Sequence, residues 1–215
     1  APIIPPYYKG PQYTGPGHPM VLDPARPLPE VFDGYYLFMA EMTDAEGVKK
    51  RPTYETKPLG DVAVFGDYYR RMEQVLAKAV AALEEGASKV PETHRALFEA
   101  EVSPTRWFYH TIHTTANFYE LAPLRDQLHA CVEGTAGDTE VLKKAHARVA
   151  ELLAMEQANT EAALPVIAGD MRLDFYYGSD HTLPHAADMM AEKLKILAQE
   201  QNEVLPALAR KCGLQ

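Results

Sequence analysis

The chain is 215 residues long, 47% hydrophobic and 24% charged, the composition of an ordinary globular protein long enough to bury a core without disulfide or metal staples. A formal net charge of -9 and the lack of a basic patch argue against nucleic acid or an anionic membrane surface as a partner, since both are met by clustered lysine and arginine. No apolar run reaches the roughly 18 to 20 residues that cross a bilayer, so no membrane span is expected. The chain begins at Ala1 without a charged and then apolar leader, as expected of a processed protein or of a piece of a longer one.

Residues 1–60 read as an extended Pro/Tyr-rich arm. APIIPPYYKGPQYTGPGHPM and DPARPLPE carry too many prolines for a helix interior or a central strand, because proline fixes φ and donates no backbone hydrogen bond. Tyr7, Tyr8, Tyr35 and Tyr36 lie in or after this arm, and FDGYYLFMAEM is its one strongly apolar run, expected to form a short strand or helical turn against the rest.

From residue 61 the pattern changes to that of a helical bundle. Phe65, Tyr68, Tyr69, Met72, Val75, Leu76, Ala79, Val80 and Leu83 step by three and four, predicting a helix opened by Asp61 and stopped by Gly86. A short helix is expected over 91–101. Ser103 and Pro104 then read as an N-cap followed by proline at the first helical position, opening a second long helix that runs to about Cys131 and kinks at Pro123. A third helix starts at Asp138 and extends to Ile167, and a fourth runs from Thr182–Pro184 to Gly213 with Met190, Leu194, Leu197, Gln201, Val204, Leu205 and Leu208 inward. Short links favour antiparallel neighbours, so the predicted fold class is all-α, an up-down bundle of about four helices (61–215) with the arm packed on it. In that topology Cys131 and Cys212 end helices at the same end of the bundle, within conceivable reach of one disulfide.

The second and third helices turn polar midway. RWFYHTIHTTANFYELAPLRDQL, residues 106–128, places His110, Thr114 and Asn117 where aliphatic side chains belong. With a turn near residue 135, position i on the second helix faces roughly 270 minus i on the third, which sets Thr114 against Glu156 and His110 near Thr160, so that His110, Thr114 and Asn117 are expected to face Glu156, Asn159 and Thr160. A hydrogen-bond layer that fixes helix register is the first reading, since buried polar groups left unpaired cost on the order of 1 to 3 kcal/mol each. Replacing Asn117 by leucine should then destabilise the fold, and replacing Glu156 as well should recover much of the loss. A ligand-facing cluster is the second reading, because bundle sites are built from facing inward side chains. A metal site is the third: a di-iron carboxylate bundle needs Glu-x-x-His on two helices, and none of the histidines from His94 to His185 has a glutamate three residues before it. No catalytic motif occurs, and no cofactor or metal is expected.

RWFYHTIHTTANFYELAPLRDQL, with ANTEAALPVIAGDMRLDF at 158–175 and the approach PPYYKGPQYTGPGHPM and FDGYYLFMAEMTDAEG, resembles the helical region that follows the catalytic barrel in some large bacterial glycoside hydrolases and related secreted proteins of uncertain function, of the α-glucuronidase-like kind. The resemblance covers nearly the whole chain. The family's Asp-Ser-Arg-Leu-Gly-Phe run is Asp170-Met171-Arg172-Leu173-Asp174-Phe175 here, with aspartate in place of its glycine. The resemblance implies a non-catalytic C-terminal accessory domain, secreted or periplasmic, whose partner is the catalytic domain or subunit of the same enzyme or a second copy of itself. The residues add carbohydrate as a ligand class. Tyrosines of DFYYGSDHTLPH such as Tyr176 offer flat faces to pyranose rings, and His110, Asn117, Asp170, Arg172 and His181 offer hydrogen bonds to hydroxyls. Packing of the arm onto the bundle is the simpler use of the tyrosines. The alternative to the accessory domain is an independent, self-associating bundle with a structural role.

Overall fold

The computed structural model describes residues 15–23, 28–32, 62–135, 137–173 and 185–214. The chain is an all-α bundle, with no strand among the described residues. The expectations for Tyr7, Tyr8, Tyr35, Tyr36, most of FDGYYLFMAEM, Asp61, Tyr176, His181 and the 182–184 helix start lie outside the described residues.

Helix α1, Val62–Ala87, ends one residue beyond the predicted glycine stop. Tyr69 is buried, and Phe65, Met72 and Leu76 pack against the core. Tyr68 and Val75, on the flank of the predicted stripe, are exposed.

Helix α2, Arg95–Val132, corrects the reading of two helices broken at Ser103. Pro104 lies inside one continuous 38-residue helix, which also continues through Pro123. Proline at 104 deprives the carbonyl of Ala100, four residues earlier, of its helical donor. The guanidinium Nη2 of Arg172 donates to that carbonyl at 2.8 Å, so a side chain from far along the chain supplies what the backbone cannot.

Helix α3, Thr139–Gly169, opens as predicted: the Asp138 carboxylate accepts from the Glu140 and Val141 amides at 2.9 and 3.3 Å, satisfying two of the donors that every helix start leaves free. The turn before it passes through Gly134 at φ +75°, a left-handed conformation that glycine adopts without steric cost. Helix α4, Ala186–Gln199, continues through a π-helical turn, Glu200–Val204, into α5, Leu205–Lys211. The Leu205 amide bonds back five residues to the Glu200 carbonyl, and Pro206, which has no amide proton, follows at once.

Helix α1 packs on α2, α2 on α3 and α3 on α4, and α5 returns to α2. The Sγ of Cys212 lies 3.5 Å from the Leu128 carbonyl oxygen, one turn before Cys131, so the two cysteines share one end of the bundle as the up-down topology requires.

The described parts of the arm, 15–23 and 28–32, form a strap that enters the core. Gly15–Gly17 and Glu30–Phe32 are 3-10 turns. Met20, Val21, Leu22, Leu28 and Phe32 are buried in the same cluster as Tyr119, Leu128, Leu152, Leu153, Ile196 and Leu197, where each fully buried side chain of this size contributes roughly 1.5 to 3 kcal/mol. Gly15 sits at φ +58° against α2: a Cβ there would lie 3.1 Å from the Trp107 ring and 3.2 Å from the Thr111 hydroxyl, so both its backbone and its surroundings call for glycine.

Candidate functional site

Spacings of four and three residues bring His110, Thr114 and Asn117 onto one face of α2, and α3 presents Glu156 and Asn159 to them. Thr114 Oγ1 donates to Glu156 Oε1 at 2.6 Å, and Asn117 Nδ2 donates to Glu156 Oε2 at 2.7 Å. Asn159 Nδ2 donates to the His110 carbonyl at 3.1 Å and to Thr114 Oγ1 at 3.0 Å, while its Oδ1 lies 2.8 Å from His110 Nδ1. The predicted pairing of Thr114 with Glu156 is thus observed. His110 meets Asn159 rather than Thr160, whose hydroxyl donates within its own helix to the Glu156 carbonyl at 2.8 Å. The group is buried and its polar atoms satisfy one another, which is how such a layer avoids the cost of desolvation.

The residue missing from the sequence reading is Lys193. It shares the buried face of α4 with Met189, Met190, Ile196 and Leu197, and its ammonium forms a fully buried ion pair with Glu156 Oε1, both side chains being 0% exposed. Burial pushes the Lys193 pKa below the usual lysine range, and the Glu156 carboxylate opposes that shift. Lys193 Nζ also donates to the Pro16 carbonyl at 2.7 Å, which joins the polar layer to the strap. Two helical turns on, the buried Glu200 accepts from the Leu22 amide at 3.0 Å, and His129 Nε2 donates to the Leu22 carbonyl at 2.5 Å. Side chains from two helices therefore hold both backbone groups of one strap residue. The one sequence signal for this is periodicity: Lys193 and Glu200 step with Met189, Met190, Ile196 and Leu197 along the buried face of α4 and the π turn that follows it, whereas the expected inward residues Leu194 and Gln201 are half-buried.

Toward the surface the layer continues through Arg70, which donates to Asn117 Oδ1 at 2.9 Å, to Glu73 at 2.6 Å and to Glu120 at 2.8 Å. Arg148 donates to Glu120 at 2.6 Å, and His113 Nδ1 lies 2.7 Å from Glu73. Burial alone would raise the pKa of Glu73, but the His113 and Arg70 contacts outweigh it and hold the group below the usual range; at Glu120 the Arg148 and Arg70 bonds outweigh burial in the same way.

Three of the six candidate ligand residues converge elsewhere. His110, Asp170 and Arg172 line a groove of about 810 Å³ between α1, α2 and α3, together with Arg106 and Tyr109. Arg172 bonds both carboxylate oxygens of Asp170, which draws the Asp170 pKa down to about 2, against a smaller opposing effect of desolvation. Asn117 is fully buried in the polar layer and does not line the groove. No cluster of three or more histidine, cysteine, aspartate or glutamate side chains able to hold a metal ion occurs among the described residues.

Two predictions arise here. Asn117→Leu removes a donor from Glu156 and an acceptor from Arg70 inside a packed core, so it is expected to cost about 2 to 4 kcal/mol in urea unfolding. The companion expectation, that replacing Glu156 too recovers the loss, is corrected by the ion pair: an apolar residue at 156 strands Lys193, and recovery requires replacing that residue as well. The second prediction concerns pH. Burial, and then the charge of Lys193, lowers the His18 pKa to about 3, its bond to the Pro19 carbonyl opposing; burial likewise lowers His110. Below pH 6.5 the unfolded chain protonates both, while folded His18 stays neutral until about pH 3 and folded His110 takes up its proton at a lower pH than the unfolded chain does. Their contribution to stability is therefore complete above pH 6.5 and is lost as pH falls toward the folded values. From pH 6 to 4, His18 alone should give a slope of about 1.4 kcal/mol per pH unit, and a His18→Leu variant followed by chemical unfolding across that range should show a correspondingly flatter profile.

Comparison with known protein families, curated proteins and solved structures finds no match to this chain.

Proposed function

We propose that the chain is a non-catalytic helical accessory domain of a secreted or periplasmic carbohydrate-active enzyme, packing on a catalytic barrel or dimerising it. The sequence resemblance motivates this reading. The observation that carries it is the burial of one acid and one base as a pair: Glu156 and Lys193 are fully shielded from solvent and bonded to Thr114, Asn117 and the strap, so neither can reach a substrate. A glycosidase needs two carboxyl groups roughly 5 to 10 Å apart across an open cleft. Of the acids lining the groove, Asp170 is tied to Arg172, and Glu84 and Glu99 are paired with Arg106. The paired charges, with Tyr109 beside them, suit weak contact with the hydroxyls of a neutral sugar rather than hydrolysis.

The purified chain is expected to turn over no aryl glycoside, and its native polypeptide is expected to be several times longer, with a barrel preceding Ala1. Turnover that disappears on replacing one of the chain's own carboxylates would overturn the reading, as would a native polypeptide without a second domain. The exposed Val75, Leu97 and Phe108 favour a second reading, an independent self-associating bundle; sedimentation of the isolated chain as a concentration-dependent dimer, together with a short native polypeptide, would support it.

A further inference from the structure

We propose that Cys131 and Cys212 form an intramolecular disulfide that fastens α5 to α2 at the end of the bundle where the strap is clamped. Both residues are free thiols here, half-buried, each at the closing turn of its helix. The Cys212 sulfur rests 3.5 Å from the carbonyl of Leu128, which lies one helical turn before Cys131 on α2. The topology therefore brings together two cysteines that are far apart in sequence, and it does so at the bundle's rim, where a small disulfide can reach them. The two joined segments matter to the interior. His129, two residues before Cys131, holds the Leu22 carbonyl, and Glu200, at the start of the π turn that leads into α5, holds the Leu22 amide.

With oxidised glutathione as the oxidant, the Cys131 thiolate attacks one sulfur of glutathione disulfide and releases one glutathione. Cys212 then loses its proton to solvent and attacks the Cys131 sulfur, releasing the second glutathione. Two protein thiols are oxidised and one glutathione disulfide is reduced to two thiols. Burial, and then contact with Cys131, pushes the Cys212 thiol up to about 11, which suits it to the second, intramolecular step better than to the first.

The test is to incubate the native chain with excess oxidised glutathione, block remaining thiols and measure intact mass, a peptide map and thermal unfolding. The expected product is a monomer lighter by two hydrogens, with the two cysteine peptides joined. Closing a loop of about 80 residues should raise Tm by roughly 5 to 10 °C, and dithiothreitol should reverse the rise. Cys131→Ser and Cys212→Ser should each accept at most one glutathione and show no such rise. A stable adduct of two glutathiones, a disulfide-linked dimer or unreacted thiols in the folded chain would overturn the proposal; a joined pair without a change in Tm would overturn the fastening role.

Discussion

Lys193→Met is expected to destabilise the chain by about 3 to 5 kcal/mol at pH 7, the cost of removing one partner from a buried ion pair and leaving the other charge uncompensated. Methionine fills much of the same space, so the loss is electrostatic rather than a matter of packing. Glu156 would keep only the neutral donors Thr114 and Asn117, and the Pro16 carbonyl would lose its donor. Adding Glu156→Gln removes the stranded charge while keeping an acceptor for Thr114, and the double variant should recover a substantial part of the loss. Urea unfolding of the two single variants and the double gives the coupling directly; costs that simply add would mean that the pair does not act as a unit.

Glu200→Ala should cost about 2 to 4 kcal/mol, combining a lost charge-assisted bond, a buried amide without an acceptor and a small cavity. The Leu22 amide is the group left behind, so the strap should loosen before the helices do, and it should become the first site cut in limited proteolysis. Glu200→Gln keeps a neutral acceptor and should lose less. Equal losses in thermal unfolding of the two variants would show that acceptance from Leu22 is not what Glu200 contributes.

The parts of this fold that were legible in the sequence are those fixed by local chemistry. Asp138 caps α3 because an aspartate before an amphipathic run satisfies free amides wherever it occurs. The opposition of Thr114 to Glu156 followed from a turn position and helical rise alone. Features that depend on distant partners were misread. Ser103–Pro104 looked like a helix start because the donor that lets α2 continue comes from Arg172, 72 residues from the carbonyl it serves. Lys193 and Glu200 carry no local signal of their role, because periodicity cannot reveal that Glu156 and a strap amide lie opposite them. The prolines of the arm marked it as irregular, correctly for the described residues 15–23 and 28–32, but they concealed that Met20, Leu22, Leu28 and Phe32 supply part of the main core. Of the candidate ligand residues, His110, Asp170 and Arg172 share one groove, whereas Asn117 is buried in the polar layer and does not line it.

Lys193, Glu200 and His129 are expected to hold the strap as part of the bundle rather than serve an exchangeable ligand. Native-state hydrogen exchange at the Leu22 amide tests it most directly, because that one proton is held by Glu200 while the carbonyl of the same residue is held by His129. Exchange of Leu22 only through global unfolding, with protection equal to that of core amides in α2 and α3 such as Tyr119 and Leu152, is the predicted result. Exchange of Leu22 orders of magnitude faster than those amides, with the helices still protected, would contradict it.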